Sequence, residues 1–166
     1  MVYCGTLGGF IYLIHANNGS LLCRKSSREH QPFISSPTLN PQGTYVYIGD
    51  AAGMLYLLNV RNCTDMLPHY FVELGNAVTT PMVFSSDGQK SYGTSYDCYF
   101  SLHGFPPVGN PYWVKSYHNH GGIESSFALS PCEQRLFLGL NNHNVISLNA
   151  SNGALLWQFT TGDMVS

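Results

Sequence analysis

Residues 136–159 read LFLGLNNHNVISLNASNGALLWQF, and this stretch decides the fold class. It holds three short runs rich in leucine, β-branched and aromatic residues, and Asn, His, Ser and Gly separate one run from the next. Apolar runs of this length, bounded by turn-forming residues, are typical of consecutive β-strands. No apolar stripe with a helical period appears, so the pattern predicts an all-β structure.

The same pattern recurs along the whole chain. Strand-like runs end in glycine at positions spaced by 44, 44 and 46 residues: Gly5, Gly49, Gly93 and Gly139. The following runs end with the same spacings at Ile14-His15, Leu58-Asn59, Leu102-His103 and Leu148-Asn149. A third anchor appears as Ser35-Ser36-Pro37, Thr79-Thr80-Pro81 and Ser125-Ser126-Phe127. The chain therefore consists of four tandem repeats of about 44 residues.

Each repeat holds four predicted strands. In the repeat that starts at Val78 these are 78–84, 89–94, 99–103 and 112–117, and two inserted residues are expected in the Pro-rich turn at 105–109. Four short strands in about 44 residues match one blade of a β-propeller. The expected fold class is therefore an all-β, partial β-propeller of four-stranded blades.

The last repeat resembles the blades of pyrroloquinoline-quinone (PQQ)-type propellers. Those blades read as a strand ending in Gly, then Leu-Tyr-Ala-Leu-Asp-Ala-x-Thr-Gly, then a strand that carries Trp. Residues 145–153 (VISLNASNG) and Trp157 follow this order, and residues 10–22 keep much of it in the first repeat. The two middle repeats are degenerate. The resemblance implies a quinoprotein-like propeller that covers essentially the whole chain.

Four further positions have a structural interpretation. Gly19 and Gly153 end Asn-rich turns, where a residue that tolerates positive φ is required. Trp113 and Trp157 occupy equivalent places on the outermost strand, where a ring can pack between neighbouring blades. Cys23 and Leu67 hold the same place in the other two repeats, so an aromatic ring is not obligatory there.

The phase of the repeat divides the chain into blade pieces. With each blade starting at the Ser-Ser-Pro strand, the pieces are 1–33, 34–77, 78–122, 123–163 and the start of a next blade at 164–166. PQQ-type propellers usually have seven or eight blades, so the simplest interpretation is a fragment of a longer ring. A homodimer that completes an eight-bladed ring is the less favoured alternative.

The charge and the hydropathy of the sequence limit the kinds of partner that the chain can bind. Lys and Arg total 7 and Asp and Glu total 9, which gives a net charge of −2 and no basic stripe for nucleic acid. No apolar run approaches the length needed to span a bilayer, and no signal peptide precedes the first strand. The compartment therefore stays open.

No catalytic or cofactor-binding constellation is recognisable, so an enzyme is disfavoured and no cofactor is expected. PQQ and Ca²⁺ would apply only to a dehydrogenase. The candidate ligand face carries the loops that enter each first strand, with His30, Asn76, His118, His120 and Asp163, and the loops between second and third strands, with Asp50, Asp97, Asn142 and His143. His118 and His120 form a conceivable metal pair, but no third ligand is evident.

The five cysteines lie at non-equivalent repeat positions and are odd in number, which favours reduced, packed thiols. Three glycosylation acceptor sequences, at Asn18, Asn62 and Asn149, fall in turns that require such residues anyway.

Three functions remain open. The first is a non-catalytic scaffold that binds a protein or another domain of the same chain, as in the outer-membrane assembly lipoproteins or the propeller appended to certain adenylate-forming enzymes. The second is a fragment of a PQQ-dependent dehydrogenase. The third is a small-ligand or glycan binder. Family resemblance supports the first, although a fold does not determine a function.

Overall fold

A computed structural model describes residues 1–61, 63, 66–67, 77–94, 99–104, 112–116, 123 and 125–165. In these residues the chain forms four antiparallel sheets that follow one another in sequence. Each sheet is a meander, in which hydrogen-bonded neighbours are consecutive strands of the chain. One 3₁₀ turn, at Arg28–His30, lies between the first two sheets. The expected all-β class, built of four-stranded sheets, is confirmed for three sheets, and the first has three strands.

The strands define four blades. Blade 1 contains β1 (Val2–Gly5), β2 (Phe10–Ile14) and β3 (Leu21–Ser26). Blade 2 contains β4 (Thr38–Leu39), β5 (Tyr45–Gly49), β6 (Leu55–Asn59) and β7 (Met66–Leu67). Blade 3 contains β8 (Val83–Phe84), β9 (Lys90–Thr94), β10 (Tyr99–Gly104) and β11 (Trp113–Ser116). Blade 4 contains β12 (Ala128–Leu129), β13 (Arg135–Leu140), β14 (Asn144–Asn149) and β15 (Leu155–Thr160).

First strands are shorter than the sequence pattern suggests. The run at 78–84 yields only the two residues of β8, and the first strands of blades 2 and 4 are equally short, although blade 4 has no proline there. The segment before it is held differently, by the hydroxyl groups described below. Shortening of this innermost strand leaves the second and third strands as the main body of each blade.

In blades 2 and 4 the second and third strands are largely buried on both faces, and their sequences are nearly continuous apolar runs. In blade 2, alternate residues of β5 and β6 fall into two separate clusters because successive side chains point to opposite faces of a sheet. Val46, Ile48 and Leu58 pack with residues of blade 1, whereas Tyr47 and Leu57 pack with Met82 of blade 3. A third cluster, around Trp113, Leu136 and Leu148, lies between blades 3 and 4.

The strand registers correct the predicted alignment of the third repeat. Gly5, Gly49 and Gly139 each lie six residues before their partner on the next strand, and in blade 3 the residue with that spacing is Thr94, paired with Phe100. Thr94 rather than Gly93 therefore occupies the repeat position. The spacings become 44, 45 and 45 residues in place of the predicted 44, 44 and 46.

Register also relocates the two inserted residues. Leu57 pairs with Leu67, and its equivalent Leu102 pairs with Trp113, which is one residue more between partners. Only one extra residue therefore belongs to the predicted Pro-rich turn, which lies outside the described residues. The other precedes Thr80, in the connection between blades 2 and 3. Sequence alignment placed both in one turn because Gly93 is an attractive but false anchor.

Candidate interaction surface

One end of the blade row carries the loops of the candidate ligand face. We call it the entry rim: the turns between second and third strands together with the segments that enter each first strand. At this rim, Phe33 donates its backbone N–H to Thr6 O at 3.0 Å, and Val78 donates to Asp50 O at 3.0 Å. The segments that enter blades 2 and 3 are thus bonded to the turn of the blade before them.

The Ser-Ser-Pro anchor has a defined role at the entry rim. The Ser35 hydroxyl accepts from Gly49 N–H at 2.6 Å, and the Ser125 hydroxyl accepts from Gly139 N–H at 2.9 Å and donates to Gly139 O at 2.8 Å. In blade 3 the hydroxyls of Thr80 and Thr94 bond to each other at 2.7 Å. The two serine hydroxyls satisfy buried backbone groups at a place where the first strand has not yet begun to pair, whereas the two threonine hydroxyls satisfy each other.

Close packing explains the anchor glycines. A Cβ atom at Gly49 would overlap the side chain of Val78, and one at Gly139 would overlap Val165 and lie 3.1 Å from Ser125 Oγ. Each glycine therefore admits the chain that enters the next blade. The anchor serine and the anchor glycine are two halves of one contact between consecutive strands.

Asp50 is fully buried and belongs to the fold rather than to an open site. Its Oδ1 accepts from the backbone N–H groups of Ala52 and Met54, both at 2.9 Å, and its Oδ2 accepts from the Tyr56 hydroxyl at 2.9 Å. The Tyr56 hydroxyl in turn accepts from Arg28 N–H at 2.9 Å. Burial, with the adjacent carboxylate, raises the pKa of Tyr56 to about 12. The carboxylate fixes a tight turn and links blade 2 to the segment that leaves blade 1.

The described candidate residues do not form one cluster. His30 is exposed at the end of the 3₁₀ turn, and its ring centroid lies 5.4 Å from that of Phe10. Asp163 is exposed beyond β15, where its Oδ1 accepts from Met164 N–H at 2.8 Å. His143 uses its backbone oxygen to accept from Thr161. No hydrogen bond or ion pair joins His30 to Asp163 in the described part of the chain.

The remaining candidates, Asn76, Asp97, His118 and His120, lie outside the described residues. In the part of the chain that the structure describes, no group of three His, Cys, Asp or Glu side chains could hold a metal ion. No helix among these residues has the length and apolar character needed to cross a membrane.

Three of the exposed apolar side chains lie at the entry rim. Leu7 projects from the turn between β1 and β2, Ile34 from the segment entering blade 2, and Met164 from the segment that follows blade 4. Their exposure is the feature of this rim that sequence inspection missed, because single apolar residues in loops carry no distinctive pattern.

At the opposite, outer end of the blades, register places Cys23, Leu67, Trp113 and Trp157 at one repeat position. Trp113 is buried against the turn of blade 4: its Nε1 donates to Ala150 O at 3.2 Å, and its Cε3 lies 2.6 Å from where a Cβ of Gly153 would be. We call this Trp-on-turn arrangement the outer contact. It joins the outermost strand of one blade to the third turn of the next.

Between blades 1 and 2 the outer contact is a disulfide. Cys23 takes the strand position and Cys63 the turn position, with Cα atoms 6.2 Å apart, within the range that a disulfide requires. Cys63 is equivalent to Gly153, since each donates its N–H to the residue four positions before it and each has positive φ. The expectation of reduced, packed thiols was therefore wrong for this pair. Counting from Asn59 to Cys63 and from Asn149 to Gly153 would have revealed the equivalence.

No family model matches the chain, and no curated protein matches it. Among solved structures, the chain is similar to BamB from Moraxella catarrhalis, with a TM-score of 0.75 and 16% sequence identity over 95% of this chain. The match covers 45% of the BamB chain, so this chain spans less than half of that structure. At this identity the likeness shows the fold. The chain forms a partial β-propeller of consecutive blades.

Proposed function

We propose that this chain is a segment of PQQ-like β-propeller that acts as a non-catalytic scaffold, with its entry rim binding another protein or another domain. The observation that carries the proposal is the character of that rim. Its best polar candidate, Asp50, has both carboxylate oxygens bonded within the fold, while Leu7, Ile34 and Met164 are exposed. A surface of this kind gains more from covering apolar side chains than from binding an ion.

Two other observations support the proposal. The likeness to BamB places the chain among β-propellers, and the PQQ-type family that the sequence resembles includes propellers that are not enzymes. The low content of charged residues, 10%, favours a partner that offers apolar and hydrogen-bonding groups over a highly charged one. The partner that we infer is a protein surface with an apolar centre.

The test compares two matched triple variants. One changes Leu7, Ile34 and Met164 to Ser, and the control changes three exposed apolar residues away from the entry rim, Leu39, Tyr112 and Val114, to Ser. Cross-linking and mass spectrometry in extracts of the source cells identify the partner, and calorimetry with the purified partner measures affinity. We expect the entry-rim variant to bind at least about tenfold more weakly, because apolar anchors dominate such interfaces, and the control to bind normally.

Two results would contradict this function. Equal loss of binding in both variants would show that the entry rim is not the binding surface. Dye-linked oxidation of alcohols or sugars by the chain with added PQQ and Ca²⁺ would instead identify it as part of a dehydrogenase.

A further inference from the structure

The third turn of blade 1, between β2 and β3, carries an acceptor sequence for asparagine-linked glycosylation, Asn18-Gly19-Ser20. Two hydrogen bonds hold this turn. Gly19 donates its N–H to His15 O at 2.9 Å, and Asn18 Oδ1 accepts from Ser20 N–H at 3.0 Å. All residues from 15 to 20 are exposed. The acceptor asparagine therefore lies at the tip of a hydrogen-bonded turn, with its side chain in contact with solvent.

The tip position stays exposed when another blade lies beside the turn. Asn152 is the equivalent residue of blade 4, because Asn18 and Asn152 each precede a glycine with a φ of 69°. Trp113 of blade 3 packs on this turn and buries Gly153, yet Asn152 remains exposed. The exposure of Asn18 is thus a property of its place in the blade, and a blade packed against blade 1 would leave it unchanged.

A second acceptor sequence, at Asn149, occupies a less accessible place. Asn149 ends β14 and is half-buried, and the next residue, Ala150, is buried with its carbonyl accepting from Trp113 Nε1 at 3.2 Å. The hydroxyl group of Ser151, which completes the acceptor sequence, donates to Asn149 Oδ1 at 2.7 Å. This acceptor sequence is therefore engaged in the packing of blade 4 on blade 3. The third acceptor sequence begins at Asn62, which lies outside the described residues.

The disulfide between Cys23 and Cys63 points to the compartment in which the chain folds. Disulfides form and persist in the endoplasmic reticulum and in secreted proteins, and they are rare in the cytosol. Surface loops of secreted proteins are also where acceptor asparagines are modified. Cys23 lies on β3, directly after the turn that holds Asn18. One hairpin therefore carries both a bond that requires an oxidising compartment and an exposed acceptor asparagine.

We propose that Asn18 carries an N-linked glycan and that Asn149 does not. The donor is an oligosaccharide attached to a lipid pyrophosphate. Asn18 Nδ2 forms a bond to C1 of the first sugar and loses one proton, the bond from C1 to the pyrophosphate oxygen breaks, and the lipid pyrophosphate leaves without any oxidation or reduction. The third turn lies at the end of the blade opposite the entry rim, so this glycan leaves the entry rim free. The proposal does not depend on what the entry rim binds.

Protein purified from its source cells, with thiols blocked at lysis, provides the first test. Peptide N-glycosidase in heavy-oxygen water releases the glycan and converts the modified asparagine to a labelled aspartate, which peptide mass spectrometry locates. We expect the label at position 18 in most molecules and no label at position 149. An unmodified Asn18, whatever the state of the thiols, or a glycan on Asn149 would overturn the proposal.

Variants made in the same cells provide the second test. Asn18→Gln and Ser20→Ala each remove the acceptor sequence, while Ser20→Thr, the matched control, preserves it. In an Asn62→Gln background, both loss variants should abolish the gel-mobility shift that the glycosidase causes, and Ser20→Thr and Asn149→Gln should retain it. A shift that survives in Asn18→Gln or in Ser20→Ala would contradict the assignment.

Discussion

The outer contact between blades 1 and 2 and the outer contact between blades 3 and 4 use the same two repeat positions with different chemistry. The first is the disulfide of Cys23 and Cys63, and the second is Trp113 lying on Gly153. Both join an outermost strand to the third turn of the next blade, and in both the turn residue has positive φ. The position is thus determined by the blade geometry, while the means of holding it can be covalent or apolar.

The two kinds of outer contact affect different states of the chain, the unfolded state and the folded state. A disulfide limits the freedom of the unfolded chain, and its stabilisation grows with the length of the loop it closes. A buried tryptophan stabilises only the folded state, by removing apolar area from water and by close packing. Blades 1 and 2 should therefore depend on redox conditions, and blades 3 and 4 on packing.

Replacing the buried ring tests the apolar contact most severely. Trp113→Ala should lower the free energy of unfolding by about 3–5 kcal/mol, because it leaves a cavity above Gly153 and removes the donor to Ala150 O. Urea denaturation measures the change. Trp157→Ala is the control and should cost less than about 1 kcal/mol, because Trp157 is 40% exposed and Trp113 only 9%. Similar losses in the two variants would show that Trp113 has no special role.

Breaking the disulfide tests the covalent contact. The two cysteines are 40 residues apart in sequence, and the chain-entropy relation gives about 4 kcal/mol for a loop of that length. Cys23→Ala with Cys63→Ala, or reduction of the unmodified protein, should lower stability by about 2–4 kcal/mol. Thermal unfolding with and without reductant measures it. Cys4→Ser with Cys132→Ser should leave the redox dependence intact, and a protein indifferent to reductant would refute the prediction.

Two glycine substitutions separate the energetic effect of the Trp113 packing contact from the conformational cost of a side chain at positive φ. Gly153→Ala and Gly19→Ala both place a side chain at a φ of 69°, so the two variants share the same conformational penalty. Only the Cβ at position 153 would collide with Trp113, which should add about 1–3 kcal/mol of destabilisation. Denaturation of the two variants side by side gives this difference. Equal destabilisation would mean that the turn of blade 4 moves away from Trp113 at no measurable energetic cost.

Removing the hydroxyl group from one buried tyrosine in each blade pair compares how much polar groups stabilise the two pairs. Tyr56→Phe removes the group that bonds both Asp50 and Arg28 N–H, and should cost about 1–3 kcal/mol because buried partners lose their hydrogen bonds. Tyr92 is buried between blades 3 and 4, and its hydroxyl has no hydrogen-bond partner in the described part of the chain. Tyr92→Phe should therefore be neutral or slightly stabilising. A greater loss from Tyr92→Phe than from Tyr56→Phe in chemical denaturation would reverse this order.

Sequence periodicity predicted the fold better than it predicted the alignment. The Gly and Ser anchors recur because each blade needs a close approach and a hydroxyl bond at the entry rim, as at Ser35 with Gly49. Gly93 misled the alignment because glycine beside Thr94 looks like an anchor, although strand pairing selects the neighbouring residue. Of the candidate ligand residues, Asp50 was assigned to a face, but its bonds to Tyr56 and the turn could not be inferred from spacing.

The sequence by itself determined that the chain repeats, that each repeat is a small antiparallel sheet, and that Trp113 and Trp157 share one position. These properties follow from the apolar pattern of the strands and from the turn-forming residues between them, and each of these can be recognised within a short segment of sequence. Only the tertiary structure decided that Cys23 meets Cys63, that Trp113 is covered and that Trp157 is not. Those outcomes depend on which blade lies beside each position, and no property of a residue within its own repeat specifies its neighbour in space.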